Sequence, residues 1–194
     1  MSVLTALLSI LLLAAPAGPS EPGSAAPAFG AWPVPGAAGA ARPLVARLWD
    51  PPPAPWAAGH RGVDLATEAG APVVAPAAGR VSFAGEVAGR GVVTIELAGQ
   101  QGEGVPPRTT LEPVRATVAQ GDEVAAGDVV GTVATAGPFH CAGPCLHWGL
   151  LRGEIYLDPL ARLAPGLLRS GPSRLLPTEG VPVPEGTGSV PVSR

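Results

Sequence analysis

The sequence has no lysine and no asparagine, only three histidines and two cysteines, and aromatic residues make up 4% of it. Charged residues are also scarce, at 14%, and the formal net charge is −3. A chain without net positive charge lacks the electrostatic footprint of a nucleic-acid-binding protein, so nucleic acid is excluded as a partner. Every strongly basic side chain is arginine. We interpret this, together with the abundance of Ala, Gly and Pro, as the codon usage of a GC-rich genome.

Long apolar runs are scarce as well, and the one near the start is short. Residues 3–15 form an apolar run of 13 that is broken only by Thr5 and Ser9. This is too short to span a bilayer, which needs ~20 residues, but it suits the core of a signal peptide. Small residues at 15–17 provide a cleavage pattern, although no basic side chain precedes the run. We therefore predict a signal peptide at 1–17, export to the cell envelope or beyond, and no stable transmembrane span. A misassigned start or a buried apolar segment is the alternative.

Glycine and proline are abundant, with 27 and 25 residues. Residues 18–40 are mostly Ala, Gly, Pro and Ser, a composition that buries little and predicts a linker. Ordered structure is expected to begin near WPVPG at 32–36. Residues 164–194 return to the same composition and predict a disordered tail. One domain is expected between them, at 41–163.

The middle of the chain reads as short strands rather than helices. Val63 and Leu65 alternate around Asp64, and β-branched segments at 72–75, 79–83 and 92–97 are separated by glycines. No long apolar pattern with a helical period follows the first 17 residues. The fold class is therefore predicted to be mainly β, as a single domain of antiparallel sheet.

A unit Val-x-x-Gly-Asp-x-Val occurs twice, at 118–124 and 124–130. It predicts tight turns at Gly121 and Gly127 with the valines packing inward. Biotinyl and lipoyl carrier domains have a similar pattern, but they need an acceptor lysine, and this chain has none.

Three residues have side chains suited to holding a metal ion. His60 and Asp64 lie four positions apart, and His147 follows much later, between Leu146 and Trp148. Two imidazoles and one carboxylate can hold a catalytic zinc ion and leave one coordination position open. The spacing of His60 and Asp64 also arises by chance, and either one can be an ordinary surface residue. His147 can equally be a hydrogen-bonded, partly buried histidine.

Five sequence blocks, taken together and in order, resemble the lysostaphin-type (LytM-like) zinc metalloendopeptidases. They are HRGVDL (60–65), PVVAPAAGRV (72–81), GDEVAAGDVVG (121–131), LHWG (146–149) and LDP (157–159). Members of this family cut the peptide cross-links of bacterial peptidoglycan. The resemblance implies the family's β fold, one zinc ion held by His60, Asp64 and His147, and peptidoglycan or its stem peptides as the partner.

Two positions depart from the family pattern. Cys145 and Thr110 occupy the places where active members carry the two histidines that are assigned to proton transfer and transition-state stabilisation. A free thiolate at Cys145 can act as a base or as a fourth zinc ligand. In an exported chain, a disulfide between Cys141 and Cys145 is the simpler expectation. No catalytic residue can therefore be named. The alternative function is a non-catalytic relative that binds cell-wall peptide or activates a separate cell-wall hydrolase.

Several nearby residues have weaker signals. Glu112 is a possible substitute base, but we interpret it as a solvated loop carboxylate. His140 is interpreted as a loop residue, and Glu154 as part of a turn without a role. Trp56 and Trp148 are expected either to line a groove or to pack in the core.

Overall fold

The computed structural model describes residues 29–37, 40, 42–54, 56–98, 104–135, 141 and 143–168. In this part of the chain, eleven strands are followed by a single 3₁₀ turn and a four-residue helix. The strands are β1 (Val45–Arg47), β2 (Gly62–Ala66), β3 (Pro72–Val74), β4 (Gly79–Val87), β5 (Arg90–Leu97), β6 (Arg108–Glu112), β7 (Val114–Ala116), β8 (Glu123–Val124), β9 (Val129–Val133), β10 (Cys145–Arg152) and β11 (Ile155–Leu157). The 3₁₀ turn spans Leu160–Arg162, and the helix α1 spans Pro165–Leu168.

The strands form two sheets, and every strand pair is antiparallel. Eight strands form one sheet in the order β1-β2-β10-β6-β5-β4-β8, with β11 also paired to β10. The second sheet has the order β3-β9-β7. The prediction of a mainly β, antiparallel fold is confirmed. Its division between two sheets is a feature that local sequence patterns do not predict.

Strand β10 shows how the alternation of residues builds the core. Leu146, Trp148 and Leu150 are buried and belong to one hydrophobic cluster. His147 alternates with them, so its side chain lies on the opposite face of the sheet. The cluster also contains residues of the small sheet, among them Val73 and Val130, and it therefore holds the two sheets together.

Residues that precede β1 contribute to this core. Phe29 is fully buried, and its ring centroid lies 5.0 Å from that of Trp148. Trp32 and Val34 are also buried. All three lie in the segment 18–40 that composition assigns to a linker, so the packed unit reaches at least to residue 29. The position of Trp32 agrees with ordered structure near the WPVPG segment.

The start and the end of the packed unit pair with each other. The backbone N–H of Phe29 donates to the carbonyl of Arg162 at 2.6 Å, and the N–H of Ala164 donates to the carbonyl of Phe29 at 2.9 Å. The indole N–H of Trp32 donates to the carbonyl of Leu167 in α1 at 3.1 Å. Helix α1 lies within the predicted tail 164–194; residues 169–194 lie outside the described part of the chain.

The two Gly-Asp units form the predicted turns. Gly121 and Gly127 have φ values of 102° and 93°, which glycine adopts without the strain that a side chain would cause. In each turn the aspartate accepts a hydrogen bond from the backbone N–H three residues before it, Asp122 from Ala119 at 2.8 Å and Asp128 from Ala125 at 2.7 Å. Each copy of the repeat therefore forms a tight turn that is stabilised by a hydrogen bond from the backbone to the aspartate side chain.

No helix among the described residues combines the length and the apolar character needed to cross a membrane. The predicted signal peptide at 1–17 lies outside those residues and stays a prediction.

Candidate metal centre

His60 is held just before β2. It forms an isolated bridge with Asp50, in which the two residues exchange backbone hydrogen bonds of 2.6 and 3.0 Å. The side chain is 6% exposed, and its Nδ1 lies 2.7 Å from the carbonyl oxygen of Leu48. A carbonyl oxygen only accepts, so Nδ1 carries a proton and donates a hydrogen bond to the carbonyl oxygen of Leu48. In the neutral imidazole, the other ring nitrogen, Nε2, then carries a lone pair.

Asp64 and His147 are brought together by strand register. Residue 64 of β2 pairs directly with residue 147 of β10, and directly opposed residues of antiparallel strands share a face. Oδ1 of Asp64 lies 2.8 Å from Nδ1 of His147. The Asp64 side chain is 1% exposed and that of His147 is 14% exposed. The pair is thus nearly buried, with access from solvent on the His147 side.

The structure brings the three predicted ligands into one group. Nε2 of His60 lies 3.1 Å from both Oδ1 of Asp64 and Nδ1 of His147. Each residue offers one ligand atom, and the group could hold a metal ion. The donor chemistry fits one. With Nδ1 of His60 protonated and the imidazole neutral, Nε2 of His60 and the Asp64 carboxylate oxygen both present lone pairs, at 3.1 Å from each other. A divalent cation accepts lone pairs from all three atoms.

A glycine makes room for the His147 ring. A Cβ atom at Gly62 would overlap the carbonyl oxygen of Trp148 and lie 2.8 Å from Nε2 of His147. The first contact is with backbone, which has little freedom to move away. Gly62 is therefore needed both for the close approach of β2 to β10 and for the orientation of the imidazole. Sequence reasoning missed this role; the available signal was a glycine directly before the alternating segment 63–65.

Cys145 lies two residues before His147 and is bonded to Cys141 in a disulfide with a Cα–Cα distance of 6.2 Å. Neither described cysteine is free. A disulfide sulfur has no thiolate to coordinate a metal ion or to accept a proton. The disulfide prediction is borne out in this structure, and the alternative role of Cys145 as base or fourth ligand requires reduction first.

Thr110 and Glu112 project from β6 on the His147 face. Glu112 pairs directly with His147, and Thr110 pairs with Gly149. Oγ1 of Thr110 lies 3.4 Å from Oγ1 of Thr94. Oε1 of Glu112 lies 3.6 Å from Nη1 of Arg90, and its side chain is 17% exposed. The interpretation of Glu112 as a solvated loop carboxylate is therefore wrong, because the residue is on a strand, ion-paired and mostly buried.

The two tryptophans that were candidates for a groove have different positions: one lies in the core and the other on the surface. Trp148 is fully buried, and its indole N–H donates to Oγ1 of Thr109 at 2.8 Å, which makes it a core residue. Trp56 is 98% exposed and, with Glu154, lines a cleft. His140 lies outside the described residues.

The model of peptidase family M23 matches residues 58–159, which include the entire metal group. The chain belongs to peptidase family M23. This confirms the resemblance that the five sequence blocks carry. The match spans β2 to β11.

Curated relatives of this M23 protein include uncharacterized proteins of Mycobacterium bovis and Mycobacterium tuberculosis. Each is 43% identical over 139 residues, which is 70% of this chain and 51% of the relative. The chain thus spans about half the length of the curated relatives it matches.

Solved structures with the same fold include peptidases. The antimicrobial peptidase lysostaphin from Staphylococcus simulans matches with a TM-score of 0.55 and 22% identity, over 75% of this chain and 57% of that one. A zinc containing peptidase from Vibrio cholerae matches with a TM-score of 0.54 and 24% identity, over 69% and 39% of the two chains. At these identities the likeness shows the fold.

Proposed function

We propose that this M23 domain binds one zinc ion through His60, Asp64 and His147 and acts on the peptide cross-links of bacterial peptidoglycan. The observation that carries the proposal is the convergence of three ligand atoms within 3.1 Å of one another. Family membership supports a peptidase-like role. A domain that only bound peptide would have no need for two nearly buried histidines around a buried carboxylate, since burying such polar groups costs free energy unless they are satisfied.

The donor set supports zinc over magnesium and calcium. Two imidazole nitrogens and one carboxylate oxygen are the ligands of catalytic zinc sites, whereas Mg²⁺ and Ca²⁺ prefer all-oxygen sites. The Vibrio cholerae relative is itself a zinc containing peptidase. When bound, zinc supplies Lewis-acid chemistry that polarises a substrate carbonyl and activates water.

Residues of the protein orient the three proposed ligands and form the surface beside them. The Leu48 carbonyl holds the His60 ring, and the strand pair of Asp64 and His147 fixes the other two ligands. Beside the ligands, the small residues Gly149 and Thr110 lie on the same face of the sheet. An extended peptide can approach such a surface closely. Peptidoglycan lies outside the cytoplasmic membrane, so this function requires export, which the apolar run at 3–15 supports.

A second function is favoured by a specific observation. Cys145 is tied in a disulfide, and Thr110 offers only a hydroxyl, where the family resemblance implies two histidines. A positioned general base typically contributes ~10²- to 10⁴-fold to a rate. The alternative is therefore a metal-holding relative that binds cell-wall peptide or activates a separate hydrolase.

Incubation of the zinc-loaded full chain with purified peptidoglycan separates the two functions. Cleavage of cross-links should convert dimeric peptides into monomers, which mass spectrometry detects. The control is the Asp64→Asn variant, which keeps the shape of the side chain but removes its charge and should release no monomers. If the unaltered protein binds peptidoglycan in a pull-down and releases nothing, the peptidase is excluded and the binding function stands.

A further inference from the structure

A second site lies on the same face of the large sheet. A cleft of about 610 Å³ is lined by Arg61, Arg108, Leu151, Glu154, Tyr156 and Trp56. Leu151 of β10 pairs with Arg108 of β6 on one side and with Tyr156 of β11 on the other. Because directly opposed residues share a face, these three side chains form one row across three strands. His147 and Leu151 are four residues apart on β10, so the row lies on the face that carries the metal group.

Two arginines, Arg61 and Arg108, make the lining of this cleft positively charged. Cζ of Arg61 lies 5.6 Å from the ring centroid of Tyr156, a distance at which a guanidinium is attracted to an aromatic face. Nη2 of Arg61 also donates to the carbonyl of Ala57 at 3.5 Å. Arg108 is exposed. Two arginines against the one carboxylate of Glu154 leave one net positive charge in the lining.

We propose that this cleft, built by Arg61, Arg108 and Tyr156 beside the metal group, binds a carboxylate of an extended peptide substrate. The proposal rests on the proposed function and adds a substrate feature to it. Arginine matches a carboxylate with two parallel N–H donors, which makes it the preferred side chain for such recognition. The exposed ring of Trp56 adds an apolar wall for the carbon atoms of the peptide.

The spacing sets which carboxylate is bound. Four residues along β10 separate His147 from Leu151, which corresponds to about 13 Å at the rise of an antiparallel strand. A fully extended peptide covers about 3.3–3.6 Å per residue, so about four substrate residues fit between the metal group and the cleft. Gly149 lies midway on this path and has no side chain to obstruct it. The carboxylate therefore belongs to a residue about four positions from the bond that lies at the metal group.

The test measures binding and needs no catalysis. The probe is a fluorescently labelled, cross-linked peptide dimer from peptidoglycan, used as the free acid and after its carboxylates have been converted to amides with carbodiimide and ammonia. Fluorescence anisotropy with the full chain should give about tenfold weaker binding for the amide form, the size expected for the loss of a charge-assisted hydrogen bond. Arg108→Ala should weaken binding of the acid form about tenfold and leave binding of the amide form unchanged.

Two further variants sharpen the test. Arg115→Ala removes the same charge from the small sheet, outside the cleft, and should leave both affinities unchanged. Glu154→Gln removes the competing carboxylate and should strengthen binding of the acid form. Equal affinity for both probe forms, or equal losses for Arg108→Ala and Arg115→Ala, would overturn the carboxylate site and leave the proposed function intact. A failure of the unaltered chain to bind either form would overturn the proposed function and this inference with it.

Discussion

His60→Ala and His147→Ala should each abolish stoichiometric zinc binding, while the unaltered protein retains about one ion per chain. Each variant removes one of three ligand atoms that lie 2.8–3.1 Å apart. The loss of an outer hydrogen-bond partner typically lowers metal affinity ~10- to 100-fold, and the loss of a ligand costs at least as much. Metal content after dialysis against a weak chelator, measured by plasma mass spectrometry, gives the stoichiometry directly.

The third histidine of the sequence provides the matched control. His140→Ala makes the same chemical change at a histidine that is not one of the three proposed ligands and should leave one zinc ion bound. Circular dichroism of all three variants shows whether the fold is retained. Folded His60→Ala and His147→Ala proteins that still carry a full equivalent of zinc would contradict the ligand assignment, as would the loss of zinc from His140→Ala.

Phe29→Ala should lower the free energy of unfolding by ~3–5 kcal/mol, the usual cost of truncating a buried phenylalanine. The Phe29 side chain is fully buried, and its ring packs against the ring of Trp148, which is also fully buried. Its backbone also pairs with residues 162 and 164 at the other end of the packed unit. Urea denaturation followed by tryptophan fluorescence should show a lower transition midpoint with an unchanged slope.

Leu44→Ala is the control for this change. Leu44 also lies before β2 in the chain, but it is 73% exposed, so its truncation should change stability by no more than ~0.5 kcal/mol. If Phe29→Ala and Leu44→Ala shift the midpoint equally, residue 29 does not belong to the core, and the packed unit starts later in the chain.

Local sequence predicts only part of the metal group. The spacing of His60 and Asp64 places both near the start of one strand, but the distance in sequence from Asp64 to His147 carries no information about pairing. Their contact depends on the register of β2 against β10, which the whole sheet determines. The resemblance across five ordered blocks supplied that long-range information, because it identified a fold in which the register is already specified.

Other features of the site and the core depend on backbone contacts and strand pairing, which amino-acid composition does not predict. The partner of Nδ1 of His60 is the backbone carbonyl of Leu48, and a backbone group has no sequence signature. Glu112 is followed directly by Pro113, a residue that is rare inside strands, and its pairing opposite His147 shows that it is a strand residue. The Ala- and Pro-rich composition around Phe29 predicts a linker, yet one phenylalanine and one tryptophan there bury enough apolar area to join the core.

X-ray absorption spectroscopy at the zinc edge, on the zinc-loaded protein without reductant, identifies the atoms bound to the metal. Zinc held by His60, Asp64 and His147 should show neighbouring nitrogen and oxygen atoms at about 2.0–2.1 Å, with the multiple-scattering pattern of two imidazoles. No sulfur neighbour is expected, because Cys141 and Cys145 are bonded to each other. A sulfur neighbour at about 2.3 Å, or a shell of oxygen alone, would contradict a centre built from His60, Asp64 and His147.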